Sequence, residues 1–396
     1  MPTNQNLNPG IFTDSLTSTQ RVRSVRKEIY EINEGEDELL QLTMSRSKKG
    51  ASKVVPVDSR KFEYNEQRLP NRYVTVTLVA GDVLTFSAAD MTMLRAGSVI
   101  RKDLNTSGRV LSVGATTATL VAGQGANFAV GDVVIVAGNA GGEGANFPLP
   151  VYFEPTMQFN YLQEVNHAYE VTRWMTTEAR YDAMNGSLMQ KERKDVLFYH
   201  KINVNLALWF GHLESGTDAS ANQVLGTKGV LETIVTNYGT FQGGVVTFAQ
   251  LRQAVGDYTL KSPSKEIDLY IAPDVWALLD DLWFGKQQIS APVITEAGVA
   301  MRKIELGPKT LRIIQCVAFQ SGTKFGNLMV GIDPKYYEIK TGRDQGSKRV
   351  QWMLEYTQKP EELGAQLTKQ TFVSDIGSNL AAEEAHFILD NAVSVA

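Results

Sequence analysis

The stretch GSLMQKERKDVLFYHKINVNLALWFG, residues 186–211, decides how the rest of the chain is read. Val196, Tyr199, Ile202, Leu206 and Trp209 recur at steps of three and four, which places them on one face of a helix, the expected core face. Ser187 has the side-chain oxygen that caps a free N–H of a first turn. Gly211 is the residue type that takes the left-handed conformation closing a helix. A helix over 187–211 spans roughly 35 Å, the width of a small domain. Its first half is wet, with Lys191, Glu192, Arg193, Lys194 and Asp195 in succession, and its second half is apolar on several sides. The C-terminal end is therefore expected to be the more deeply buried. Taken alone, this helix would suit the core of an α/β enzyme.

Composition narrows the field. The 396 residues suffice for two or three compact units, and 43% hydrophobic with 21% charged residues fits a globular chain with real cores. A net charge of −4 argues against a dedicated nucleic-acid reader, which is usually strongly basic. The single cysteine, Cys316, excludes an internal disulfide and sits in an apolar run, as a buried structural thiol would. No apolar run approaches the roughly 18 residues needed to span a membrane. The opening MPTNQNLNPG has neither a charged leader nor an apolar core and does not read as a secretory signal.

Upstream of the helix, residues 1–60 are polar and poorly periodic. A basic cluster (Arg21, Arg23, Arg26, Lys27) precedes an acidic one (Glu34, Glu36, Asp37, Glu38). So polar a stretch cannot bury enough surface to fold alone, and it reads either as a disordered tail or as an arm lying on something else. Leu39, Leu40 and Leu42, then Val54, Val55 and Val57, offer docking points for an arm. From Tyr73 to Gly144 the composition turns to Gly, Ala, Val and Thr, with strand-like runs at 73–79, 82–86, 98–100, 108–113, 118–121 and 132–136. Short strands at this spacing predict an all-β barrel or small sandwich. An internal echo marks it: LVAGDV at 78–83, LRAGSV at 94–99 and FAVGDV at 128–133, each with a glycine placed to turn the chain just before a strand. Gly123, Gly125, Gly141, Gly142 and Gly144 lead into no helix and are turn glycines, not a phosphate cradle.

Downstream, Thr247 is placed to cap a helix over 248–259, DLYIA at 268–272 is a buried-type strand, and Pro273 suits the first turn of another helix. With strands expected at 311–317 and 327–333, residues 237–345 read as a compact α/β domain. The tail carries long extended runs at 348–356 and 364–373 and a last one at 385–390. Nothing points to catalysis. The four histidines, His167, His200, His212 and His386, include no pair at helical metal-ligand spacing. No G-x-S-x-G elbow occurs, and Asp280 and Asp281 diverge on their helix. No catalytic, metal or cofactor residue is assigned.

The order of parts, together with FNYLQ at 159–163, LALWFG at 206–211, TKGVL at 227–231, GIDP at 331–334 and the pair Glu355–Tyr356 leading to KQT at 369–371, resembles the major capsid proteins of tailed bacteriophages with the Hong Kong 97-type fold. The resemblance implies an α+β fold with an N-terminal arm (1–50), an extended loop with flanking strands (51–74 and 146–178) and an inserted β-barrel-like domain (75–145). It further implies a peripheral domain (179–236 and 346–376) with spine helix 187–211, and an axial domain (237–345 and 377–396). The function implied is a self-assembling icosahedral shell of hexamers and pentamers around double-stranded DNA, located in the virion and assembled in the bacterial cytoplasm. Portal, scaffolding or decoration proteins are further partners it implies, with no membrane and no cofactor. The basic cluster Arg21, Arg23, Arg26 and Lys27 would face DNA or an adjacent subunit. No long helical N-terminal scaffolding segment like the prototype's is expected, which implies a separate scaffold or none, and the family's cross-linking Lys and Asn match no motif here. Against this stand a cargo-enclosing nanocompartment shell or another phage structural protein, and an α/β enzyme with a β appendage.

Overall fold

The computed structural model describes residues 37–48, 53–67, 72–141, 154–173, 188–241, 247–284, 293–296, 299–306, 309–343, 352–359 and 366–390. The chain divides into two compact units, one of residues 65–158 and one of the rest.

In chain order the first elements are α1 (Glu38–Lys48), β1 (Val54–Val57) and β2 (Lys61–Glu66). Seven short strands follow: β3 (Tyr73–Thr75), β4 (Leu78–Ala80), β5 (Val83–Thr85), β6 (Ser98–Arg101), β7 (Ser107–Val113), β8 (Thr117–Leu120) and β9 (Val133–Asn139). Then come β10 (Thr156–Tyr161), β11 (Gln163–Thr172), the long helix α2 (Leu188–Phe210), β12 (Glu214–Thr217), β13 (Gln223–Gly226) and α3 (Val230–Thr233). Next are β14 (Tyr238–Thr240), α4 (Phe248–Tyr258), β15 (Glu266–Ile271), α5 (Pro273–Phe284), β16 (Val293–Glu296), β17 (Val299–Leu306), β18 (Lys309–Gln315) and β19 (Met329–Ile332). The chain ends with β20 (Tyr337–Gly342), β21 (Leu354–Gln358), β22 (Leu367–Leu380) and β23 (Phe387–Asp390).

Among the described residues the larger unit holds two large sheets beside the two-stranded β12-β13. One runs β14-β23-β19-β15-β18-β17-β16 and carries the apolar strand DLYI of β15 at its centre, bordered by β18 in parallel and β19 antiparallel. Strands bordered on both edges and covered on both faces read as continuous apolar runs, and Ile267, Leu269, Ile271, Leu311, Ile313 and Ile314 are fully buried. The other sheet runs β1-β20-β22-β11. Its 14-residue strand β22 is long because it serves two partners along one edge, β21 against 369–373 and β20 against 376–380. Along its other edge β11 pairs with it from Gln163↔Ile376 to Thr172↔Leu367. Side chains alternate on β11 as the pleat requires: Val165, Tyr169 and Val171 are buried and Glu164, Asn166 and Glu170 exposed.

Residues 65–158 form an all-β unit with strand order β3-β9-β6-β7-β8-β5-β4. The outermost strands of that order, β3 and β4, are successive segments of one stretch. Val76 between them bonds to Asp132 and Gly131 on the β9 side, and Thr77 to Thr85 on the β5 side, so the two ends of the strand order meet in one stretch and the sheet closes on itself. Val74, Val76, Leu84, Phe86, Ile100, Val110, Leu120 and Val134 fill its interior. The three echoed glycines share one conformation, Gly81 at φ 62°, Gly97 at φ 89° and Gly131 at φ 89°, which only glycine adopts without cost. After Gly97 and Gly131 the next side chain folds back: Ser98 Oγ accepts from Arg95 N at 3.0 Å and Asp132 Oδ2 from Ala129 N at 2.7 Å. Asp82, after Gly81, instead accepts from the N–H groups of Gly125 and Gly123, which hold its carboxyl below the usual range.

Two expectations need correction. Residues 38–48, inside the stretch expected as an extended arm, are helical: they form α1, and the expected docking points Leu39, Leu40 and Leu42 are 1%, 3% and 0% exposed within the chain's own core. Gly211 does not adopt the left-handed conformation; it follows α2 because the backbones of α2 and of Thr227 leave no room for a Cβ there. Its neighbour across the contact, Gly229, bonds to the Gly211 carbonyl at 2.8 Å.

Candidate functional site

The helix α2 is the member around which the larger unit is packed. Its buried line is rotated from the one expected. His200, Val204 and Leu208 are 0% exposed, with Asn205 and Trp209 beside them, also at 0%. Of the expected stripe, Trp209 is fully buried between the rings of Tyr270 (5.0 Å) and Phe319 (4.9 Å). Leu206 is half-buried against the main core and Val196 against a small cluster of Tyr169, Val171 and Phe372. Ile202 is half-buried, and Tyr199, at 57% exposed, is not core. The reason is that the buried face includes polar residues that an apolar count passes over. Each is satisfied by a partner, as burial demands. Asn205 Oδ1 accepts from Leu40 N at 3.2 Å and so caps a first-turn N–H of α1. His200 meets Ser374 Oγ at 2.7 Å and His167 Nδ1 at 2.9 Å.

The wet end of α2 is also held. Arg193 forms a two-pronged pair with Glu355 of β21, Nε–Oε1 at 2.8 Å and Nη2–Oε2 at 2.7 Å, which depresses the Glu355 carboxyl.

Helix α1 is tied in by charge. Asp268, 1% exposed on β15, lies between Arg46 of α1 and Arg312 of β18, each within 2.5 Å of it. Glu266 adds a second contact to Arg312 at 3.0 Å and Glu296 one to Arg46 at 3.4 Å. Burial works against the Arg46 charge, but Asp268, Tyr270 and Glu296 together outweigh it and the guanidinium stays firmly protonated. Glu38 at the start of the helix accepts from Val317 N at 3.0 Å.

His386 is buried as a neutral ring. Asp333 N donates to Nδ1 at 3.1 Å, so Nε2 carries the proton and donates to Ala381 O at 3.1 Å. Burial lowers its pKa to about 4.

Among the described residues no three His, Cys, Asp or Glu side chains converge as metal ligands, and no helix is long and apolar enough to cross a membrane. Cys316 is buried and forms no disulfide. Arg21, Arg23, Arg26, Lys27, Gly186 and Ser187 lie outside the described residues.

These features describe a chain built to hold shape, and comparison with known proteins agrees. No curated protein matches it. Among solved structures, the capsid of a native GTA particle superposes with a TM-score of 0.50 at 9% identity, covering 98% of this chain and 100% of that one. A chain of Gordonia phage Cozz gives 0.48 at 8% identity, covering 98% of this chain and 99% of that one. An encapsulin complex from Synechococcus elongatus gives 0.45 at 9%, covering only 60% of this chain and 78% of that one. The first of these likenesses shows the fold, α+β of the Hong Kong 97 type. The family described as SU10 major capsid protein matches residues 5–391, nearly the whole chain. The chain therefore belongs to the SU10 major capsid protein family and is a structural, non-enzymatic protein of the virion shell, working as one of many copies.

Proposed function

We propose that the shell this subunit builds is the icosahedral head of a tailed phage, made of hexamers and pentamers, assembled in the bacterial cytoplasm and filled with double-stranded DNA. The single observation that supports this reading is the family match over residues 5–391. The parts take the roles implied by the resemblance: residues 1–50 as arm, 51–74 and 146–178 as extended loop, and 75–145 as inserted β domain. Residues 179–236 and 346–376 act as the peripheral domain around the spine helix, and 237–345 and 377–396 as the axial domain. Weak contacts suffice in such a shell because many close together in one symmetric assembly.

Arg21, Arg23, Arg26 and Lys27 serve as non-specific phosphate contacts on the inner surface or as partners of an adjacent subunit. Portal, scaffolding and decoration proteins complete the assembly. The test is electron microscopy of the expressed protein, followed by analysis of what the particles enclose. Closed icosahedral particles that package duplex DNA when the other head proteins are supplied are expected. Particles that take up only protein cargo would overturn the reading. Replacing the four basic residues by Ser is expected to leave the subunit's unfolding midpoint unchanged. If they face DNA, the replacement weakens duplex retention at raised salt; if they face a neighbour, particle yield falls instead.

A further inference from the structure

The histidine pair under the long helix has a property of its own. His200 of α2 and His167 of β11 face each other through their Nδ1 atoms at 2.9 Å, with ring centroids 5.1 Å apart. His200 reaches Ser374 of β22 through Nε2 at 2.7 Å. The three side chains thus join one helix to two strands. With both rings neutral the chain of bonds closes: His167 Nδ1–H donates to His200 Nδ1, and His200 Nε2–H donates to Ser374 Oγ, or both bonds run the other way. One added proton leaves it closed, since His167, the half-buried ring of the two, takes the proton on Nε2 and still donates through Nδ1. A second proton does not. Both Nδ1 atoms then carry hydrogens directed at each other, neither has an acceptor, and two like charges share a buried site.

The surroundings offer no relief. The faces of β11 and β22 toward α2 carry Gln163, Val165, Tyr169 and Val171, and Thr368, Gln370, Phe372 and Ile376, with no carboxylate among them. From α2 itself, Tyr199 packs edge-on against His167 at 5.0 Å. Next along the helix are Asp195, exposed, and Lys201, half-buried. The nearest carboxylate on the neighbouring strand, Glu355, is already paired with Arg193, whose guanidinium lies over the Phe372 ring at 5.8 Å.

We propose that His167, His200 and Ser374 form an acid-sensitive clasp that fastens the spine helix to β11 and β22, closed while at most one ring is charged and opened when both are. Burial, reinforced by His167, lowers the His200 pKa from 6.5 to about 4, and burial lowers that of His167. The neutral rings therefore favour the closed form, and the opened form gains protons as pH falls below the ordinary histidine value. At a factor of ten per pKa unit, opening is about 30-fold more favourable at pH 5.0 than at pH 7.5.

Hydrogen exchange followed by mass spectrometry on the full-length chain, corrected for intrinsic rates, tests this. The expected result is a rise of that size at pH 5.0, concentrated in peptides covering 196–208 and 370–376 and absent from the 266–271 strand. His200→Gln and His167→Gln keep a hydrogen-bonding amide but take no proton; the first is expected to abolish the rise and the second to reduce it, since burial of His200 remains but its facing charge is gone. A rise spread evenly over the chain, no rise, or a full rise retained in His167→Gln would overturn the clasp, the last by showing that His200 acts alone. Should His200→Gln fail to fold, the wild-type pattern and His167→Gln decide.

Discussion

At the scale of single residues, stability rests on a few buried side chains whose partners are on the page. Trp209, at 0% exposed, fills the space between Tyr270 and Phe319. Trp209→Ala is expected to cost about 3–5 kcal/mol in denaturant unfolding and to abolish particle formation. Trp209→Phe, which also removes an indole N–H without an acceptor among the described residues, should cost less than about 1.5 kcal/mol. Asp268 is a stronger case because it neutralises two guanidiniums at once. Asp268→Asn removes the buried carboxylate the two arginines share and leaves them only the outer contacts to Glu266 and Glu296; it is expected to cost about 3 kcal/mol, the low end for a broken buried pair, read in the same assay. His386 sets part of the acid limit. Its folded pKa near 4 lies below the ordinary 6.5, so the unfolded chain binds the extra proton first and stability falls as pH drops through that window. The loss approaches about 2 kcal/mol by pH 5 and on the order of 3 kcal/mol below pH 4. His386→Gln should flatten the dependence of unfolding free energy on pH by that amount; an unchanged slope would show that the ring is not neutral in the fold.

At the scale of elements, what the sequence revealed and what it hid follow one physical rule. Helices α4 and α5 and strands β15, β18, β19, β21, β22 and β23 are legible because their buried positions are apolar or their caps are explicit, whereas β14, β16, β17 and β20 are not read from the sequence. Thr247 and Gln250 form a reciprocal capping box, and Pro273 opens its helix. Helix α1 was hidden because its inward positions after Leu39 and Leu42 are Thr43 and Arg46, polar side chains that look wet until their partners are known. The face of α2 was misplaced for the same reason, His200 and Asn205 being buried by bonds to residues far off in sequence. Periodicity reports apolar burial; burial by pairing is decided by tertiary structure. The echoed glycines were legible because a left-handed turn is a local demand. Gly81→Ala and Gly131→Ala are each expected to cost about 1–2 kcal/mol through backbone strain alone, since open space surrounds the added methyl. Thermal unfolding of the 65–158 unit's signal would measure it.

At the scale of the whole molecule, the order of parts in the sequence carried the family, and no single motif did. That is natural for a structural protein, whose function is spread over its shape instead of concentrated in a few reactive groups. The path of the chain into and out of the 65–158 unit has a practical outcome. Strands β2 and β10 pair as a two-stranded ribbon, with Leu162 N bonding to Arg60 O at one end and Thr156 Oγ1 to Glu66 O at the other. Entry and exit are therefore side by side, and a short Asn-Gly turn is enough to rejoin them. A gene with that splice should yield a smaller subunit whose remaining core melts as before. The same junction is a natural port for grafting a foreign domain, such as an antigen or an enzyme, whose own ends lie close together.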